Sequence, residues 1–306
     1  MSDRTGEGES AVSFPTDSEL TPIMRIAIEE ARESLREGNH GFGAVIVRDG
    51  KLLARSHDTE ETDADPTAHA ELRAIREAAS HVGKNLSRCL LVCTHEPCPM
   101  CAAAIVWSKI PALVYGYGIA EAMRQGRTRM DLECREIFQR AQAVVQLNAG
   151  FLREECAPLY NRDVRAEIKR LRGATDDQLR LFGEEILKKR AAWYRSVQPV
   201  NGILEADPLV RAYRVLLLRL GIREEEAPIV RRTDTELVFH SMNGCPTLEA
   251  CKLLGLDTRR VCGLSSEKAT TELIRQVDRR LVFARNYEAL RPYSPYCEEI
   301  IRYSRP

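Results

Sequence analysis

The sequence has no run of about eighteen apolar residues, so no segment reads as a membrane-spanning helix. It also has no excess of either charge: 45 Lys and Arg stand against 45 Asp and Glu. Net charge therefore gives no support to a nucleic-acid or membrane partner, although a local basic patch is compatible with zero net charge. The opening "MSDRTGEGESAVSFPTDSE" lacks the apolar core of a secretory signal and predicts a disordered tail over residues 1–20. Without such a signal, ten cysteines spread along the chain predict thiols or metal ligands in a cytoplasmic protein, not a disulfide framework. What is present, 44% apolar and 29% charged residues over 306 positions, suits one large domain or two ordinary ones.

The patterns of the first half predict alternating strands and helices. "TPIMRIAIEEARESLREG" predicts a helix with Thr21 as cap, Pro22 at its first position and Gly38 past its end. "GAVIVRDGKLLARS" predicts two strands joined at Asp49-Gly50, a hairpin signal. "DPTAHAELRAIREAASH" predicts a helix with Pro66 and Thr67 at its start. "RCLLVCT" predicts a strand buried on both faces. "PCPMCAAAIVWSKI" predicts a helix stopped before Pro111, and "ALVYGYG" another strand. Strand, helix and strand in succession imply parallel strands with a crossover. Helices "DLECREIFQRAQ" and "FLREECAPLYNRDVRAEIKRLRG" follow, with a strand "AVVQLN" between them.

"DPTAHAELRAI" puts His69 and Glu71 two residues apart at a helix start. On a helix that spacing sends two side chains to different faces, so an ion pair between them is a poor explanation. "EPCPMC" supplies a partner: Cys98 and Cys101 form a Cys-x-x-Cys where a strand gives way to a helix. A helix N-terminus stabilises thiolates. Taken singly, the cysteines suit a redox pair or core thiols, His69 a structural imidazole and Glu71 a solvated carboxylate. Taken together, His-x-Glu and Pro-Cys-x-x-Cys separated by one buried strand make the zinc deaminase signature. Two thiolates and one imidazole leave a fourth tetrahedral position open, the pattern of catalytic zinc. Glu71 is the candidate to carry protons.

Across about residues 21–160 the chain resembles the cytidine deaminase-like superfamily, on "GFGAVIV", "DPTAHAELRAI" and "EPCPMCAAAIVWSKI". Within it, the chain looks most like guanine deaminases and tRNA adenosine deaminases. The resemblance implies an α/β three-layer sandwich, a mixed five-stranded sheet flanked by helices. It implies zinc held by His69, Cys98 and Cys101, with Glu71 moving protons from water to the base and the departing ammonia. A dimer or larger assembly is implied as well. "GFGAV" looks like the segment that lies against the base, so Phe42, Gly43 and Ala44 are candidate substrate contacts, with core packing the alternative for Phe42. Asp58, eleven residues before His69, stands where the family commonly has an asparagine. An ionised carboxylate only accepts hydrogen bonds, so it would favour an N–H-rich edge such as guanine, isocytosine or an aminotriazine. Its alternative role is a loop residue facing water.

The character changes near Gly173. Residues 161–176 predict a helical linker, and 177–306 a second α+β domain. Cys245, Cys251, Cys262 and Cys297 follow the spacing C-x5-C-x10-C-x34-C, which matches no common zinc template and leaves metal binding there open. "NGCPTLEACKLLGLDTRRVCG" and "RPYSPYCEEIIRY" are similar to domains of the L-2-amino-thiazoline-4-carboxylic acid hydrolase family, without implying catalytic roles. The whole predicts a zinc-dependent hydrolytic deaminase of a nucleobase, nucleoside or related amino-heterocycle, with a guanine-like substrate favoured. A tRNA adenosine deaminase is the first alternative, with "RQGRTR" (Arg124 to Arg129) and "RAEIKRLRG" (Arg165 to Gly173) as basic stretches for RNA. A non-catalytic zinc-containing ligand sensor is the second; it has no need of the proton carrier at Glu71.

Overall fold

The computed structural model describes residues 14–126, 130–197 and 206–304. It divides into two units, Met1–Ala166 and Glu167–Pro306. Helix α1 (Asp17–Glu37) starts ahead of the Thr21-Pro22 pair, because Thr16 caps it. The Glu19 carboxylate accepts from the Thr16 N–H at 2.8 Å, closing a capping box. Pro22 thus lies inside the helix, and residues 17–20, expected in the tail, belong to α1. Residues 1–13 of that tail lie outside the described residues.

Strands β1 (Gly43–Arg48) and β2 (Lys51–His57) form the expected hairpin. Asp49 at φ 51° and Gly50 at φ 73° take the left-handed backbone that a two-residue turn of this twist demands. The chain continues through α2 (Ala70–Val82), β3 (Cys89–His95), α3 (Pro99–Ser108), β4 (Ala112–Tyr117), α4 (Ile119–Arg124), α5 (Cys134–Arg140) and β5 (Gln146–Ala149). Helices α6 (Arg153–Tyr160) and α7 (Arg162–Leu171) replace the single helix expected there. Asn161 breaks it: its side-chain oxygen accepts from the N–H groups of Asp163 and Val164, starting a new helix. The boundary between the units falls within α7, inside the stretch read as a linker. Of the basic stretch Arg124 to Arg129, residues 127–129 lie outside the described residues.

The five strands run in the order β2-β1-β3-β4-β5. β1 is antiparallel to β2 and β3, whereas β3, β4 and β5 are parallel. Every residue of the central β3 is buried, as its unbroken apolar run predicts. Alternation along β1 builds three layers. Ala44 and Ile46 face a core shared with Ala74 and Ala78 of α2, Ile105 of α3 and Phe138 of α5. Gly43 faces α1, whose backbone comes so close that a methyl group there would meet the Ala27 carbonyl oxygen at 1.9 Å.

The second unit contains α8 (Asp176–Ser196), α9 (Pro208–Leu220), β6 (Ile229–Arg232), β7 (Glu236–Ser241), α10 (Pro246–Leu254), α11 (Thr258–Ser265), α12 (Glu267–Ile274), β8 (Leu281–Arg285) and β9 (Cys297–Tyr303). Its strands form an antiparallel sheet in the order β6-β7-β9-β8. Leu209, Tyr213 and Leu216 of α9 pack with Phe239, Phe283 and Ile301 of the sheet. Among the described residues no helix is long and apolar enough to cross a membrane.

Candidate metal centre and active site

Asp65 decides where α2 begins. Its Oδ1 accepts from the Thr67 N–H at 2.8 Å and the Thr67 hydroxyl at 2.7 Å. This Asx turn holds Pro66 and Thr67 outside the helix expected from them. His69 becomes the N-cap in extended backbone, and Glu71 falls in the first turn. Two residues that a continuous helix would turn apart are thereby aimed independently. Cys98 is in the same position at α3, an extended N-cap with Cys101 in the turn that follows.

The starts of α2 and α3 meet. His69 Nδ1 lies 3.5 Å from the Sγ of Cys98 and 3.5 Å from that of Cys101. All three donor atoms lie within 4.8 Å of one another. A tetrahedral zinc with Zn–N of about 2.1 Å and Zn–S of about 2.3 Å holds nitrogen and sulfur about 3.5 Å apart, so the set fits zinc in both donor chemistry and spacing. Among the described residues no other such group of ligands is found, and Cys245, Cys251, Cys262 and Cys297 do not come together as one. All ten cysteines are free of disulfides.

The donors also polarise one another. Hydrogen bonds from Cys101 and His69 draw the Cys98 thiol down to about 4 against the effect of burial. Cys101 is pushed up by its hydrogen bond with Cys98 and by burial. His69 is raised to about 9, chiefly by its bond to Cys98. The other face of His69 turns to an acid: its Nε2 lies 3.8 Å from Glu60 Oε2. Glu71 is 5% exposed, and its Oε2 lies 3.6 Å from Cys101 Sγ. Burial first, and the Cys98 charge second, push its carboxyl up to about 7.

A cavity opens over this cluster. His69, Glu71 and Cys98 line it, together with Phe42, His95, Glu96, Ile119 and Met130. Phe42 meets His95 edge-to-face at 5.3 Å and stacks on Tyr160 at 5.4 Å. Tyr160 donates to Thr94 Oγ1 at 2.7 Å, tying α6 to β3. Glu96 fixes the opposite wall by accepting from the N–H groups of Ile119 at 2.9 Å and Cys134 at 3.0 Å.

Of the expected substrate contacts, Phe42 reaches the cavity, but Gly43, Ala44 and Asp58 do not line it. Ala44 is fully buried in the core, and Gly43 is small because α1 presses on it. Asp58 is 0% exposed. Its Oδ1 accepts from Ser34 Oγ at 2.5 Å and Phe42 N at 2.8 Å, and its Oδ2 from His40 N at 2.9 Å. The carboxylate is thus spent on the turn that leads into β1 and positions Phe42, and it is neither a base-reading group nor a solvated loop residue. The physical reason is the ring of N–H and O–H donors in that turn, which needs an acceptor.

A family model described as the cytidine and deoxycytidylate deaminase zinc-binding region matches residues 17–117. The chain is 36% identical over 160 residues to the tRNA-specific adenosine deaminase of Bacillus subtilis (strain 168), an alignment covering 52% of this chain and 96% of that enzyme. The chain belongs to this family of zinc deaminases. It is also 41% identical over 106 residues to the guanine deaminase of Bacillus subtilis (strain 168), covering 34% of this chain and 68% of that enzyme. A solved structure from work on A-to-I editing by tRNA:A34 deaminases shares 32% identity, covers 45% of this chain and 99% of that chain, and has a TM-score of 0.40. In this deaminase Glu96 lines the cavity and Tyr160 packs behind Phe42, and neither stands out in the sequence as a site residue. Glu96 had a signal, an acid adjoining "PCPMC" next to a buried strand. Tyr160 had none, since nothing local marks a tyrosine that supports a pocket-lining phenylalanine from a distant helix.

Proposed function

We propose that this zinc deaminase acts on a small, free amino-heterocycle of the guanine type, replacing the amine on a ring carbon with oxygen and releasing ammonia. The observation that carries the chemistry is a buried carboxylate, Glu71, beside a His-Cys-Cys cluster. His69, Cys98 and Cys101 would hold the zinc, which supplies Lewis acidity that makes water nucleophilic near neutral pH. Glu71 takes a proton from the attacking water, delivers it to the ring nitrogen, and then serves the departing amine. Water adds its oxygen to the carbon, the C–N bond breaks, and the amine leaves as ammonia. Phe42 offers a face for the ring, and buried Ile119 adds an apolar wall beside it.

A free substrate is favoured over RNA by the acids beside the cluster. Glu60 and Glu61 lie 3.5 and 3.3 Å from His40 Nε2, and Glu60 also faces His69. Carboxylates at that position repel a phosphate backbone. The tRNA reading has its own support in the relative whose length this chain nearly spans. Ammonia release from zinc-quantified protein decides between them, with guanine, isocytosine, cytosine, an aminotriazine and an anticodon stem-loop as substrates. We expect release from a free base that disappears in Glu71→Gln. Release from the stem-loop alone would transfer the assignment to tRNA. Silence on all of them would overturn both.

A further inference from the structure

Hydrogen bonds fix the backbone of the loop from Thr59 to Asp65. The Thr59 N–H donates to the Ala68 carbonyl at 3.0 Å, and the Asp65 N–H donates to the Glu60 carbonyl at 3.2 Å. Asn39 Oδ1 accepts from the N–H groups of Glu61 at 3.1 Å and Thr62 at 3.0 Å. A loop whose backbone is satisfied in this way holds its side chains in defined directions. Glu60 is thereby sent to two imidazoles. One oxygen, Oε2, lies 3.8 Å from His69 Nε2 and 3.5 Å from His40 Nε2. Glu61, next in the chain, reaches His40 instead, with Oε1 3.3 Å from Nε2.

The two nitrogens of His69 have different neighbours. Nδ1 is turned to the sulfurs of Cys98 and Cys101, 3.5 Å from each, so a metal held by the three residues is bound through Nδ1. An imidazole that gives its Nδ1 lone pair to a metal carries its proton on Nε2. That N–H faces Glu60. A carboxylate there favours this tautomer. It also offsets the positive charge that a metal draws onto the ring, which makes the ring a stronger donor. The separation of 3.8 Å is that of an ion pair and exceeds a hydrogen bond, so charge more than direction carries the effect. The side chains of His69 and Glu60 are 20% and 33% exposed, against 61% for Glu61, so solvent screens this pair less than one on the open surface.

We propose that Glu60 is a positioning residue of the metal centre: its carboxylate fixes His69 as the Nε2–H tautomer and strengthens Nδ1 as a zinc donor. The proposal rests on zinc held by His69, Cys98 and Cys101, and is independent of which heterocycle is deaminated.

The zinc affinity of the full chain, read by competition with a chromophoric chelator, tests it without reference to turnover. Glu60→Gln keeps the shape of the side chain and removes its charge. We expect it to raise the zinc Kd about tenfold. If that variant does not fold, Glu60→Ala carries the same expectation. Glu61→Gln takes a charge from the same loop, His40→Gln removes the other partner of Glu60, and each should change the Kd less than about threefold. In the cobalt(II)-loaded protein the visible absorption bands, which report donor strength, should move in Glu60→Gln and stay in place in His40→Gln. An unchanged Kd in Glu60→Gln would overturn the proposal. So would an equal loss in Glu61→Gln, which makes the effect one of overall charge. An equal loss in His40→Gln, or cobalt bands unmoved in Glu60→Gln, would reduce Glu60 to a support of its loop and overturn it as well. Unmodified protein that binds no zinc would remove the metal centre and the proposal with it, whereas failure to deaminate a free base leaves this measurement intact.

Discussion

The Oε2 atom of Glu71 stands 3.6 Å from the sulfur of Cys101, and the two residues reach this distance from the first turns of different helices. A carboxylate held there adjoins the His69, Cys98 and Cys101 cluster without belonging to it. Its burial excludes the bland role of a solvated helix acid.

Glu71→Gln keeps the shape of the side chain and removes the proton carrier. The expected result is full zinc content and a kcat lowered by about 10²–10⁴-fold. Zinc quantification alongside ammonia release checks it. A variant that loses zinc would make Glu71 part of the metal's support, and one that keeps normal turnover would remove it from the chemistry.

Cys98→Ser exchanges a thiolate for a poorly coordinating hydroxyl in a three-donor set. Zinc content should fall well below one per chain, and the unfolding midpoint should fall with it, since metal binding free energy is folding free energy. Treating the unmodified protein with a chelator should reproduce both effects, and added zinc should reverse them. An unchanged midpoint after complete metal loss would show that the starts of α2 and α3 need no ion to stay together.

Much of this was legible in the chain because short-range rules governed it. Asp49-Gly50 names its own turn, and the unbroken apolar run of β3 announces burial on both faces. The ligand set was legible because zinc chemistry restricts both residue type and spacing. The Asx turn at Asp65 was present in the letters too, but Pro66 looked like an equally good helix start, and only the hydrogen bonds decide between them. Asp58 was misread for a deeper reason. A family position suggests that a side chain points at substrate, whereas the backbone donors of His40 and Phe42 and the Ser34 hydroxyl claim both of its oxygens. The nearness of Glu60 to His69 was beyond sequence reasoning, because several acids crowd residues 58–65 and the folded loop selects which of them faces the imidazole.

Gly43→Ala tests the layer between β1 and α1. The added carbon would lie 1.9 Å from the Ala27 carbonyl oxygen and 2.7 Å from the Ala31 nitrogen. Both are helix backbone atoms and cannot rotate aside, so α1 must move off the sheet. A loss of about 3 kcal/mol in unfolding free energy is expected, read from denaturant melts. A loss under about 0.5 kcal/mol, the range of neutral surface changes, would mean that the contact is slack.

Asp58→Asn separates a structural acid from a substrate-reading one. The amide places an NH2 where a carboxylate oxygen now accepts, so one donor of the turn is left facing another donor. Stability should fall by about 1–3 kcal/mol, while the ratios of kcat/KM across guanine, isocytosine and aminotriazine stay as they were. Altered ratios at unchanged stability would restore the residue to substrate recognition.

The acid side of the second unit's stability has an identifiable contributor in Asp278. Its carboxyl is held down to about 2 by the side chain and backbone N–H of Arg280, with Nη2 at 2.8 Å from Oδ2. A folded value below the unfolded one means that the ionised form is favoured by folding, so the contribution is complete above about pH 4 and fades as the pH falls toward about 2. Asp278→Asn should therefore lower the unfolding midpoint at pH 6 and match the unmodified protein near pH 2. Because the Arg280 side chain is 70% exposed, solvent and salt screen the pair, and the difference at pH 6 should shrink in about 1 M salt. A gap between the two proteins that is the same at both pH values would assign the effect to the shape of the turn and not to its charge.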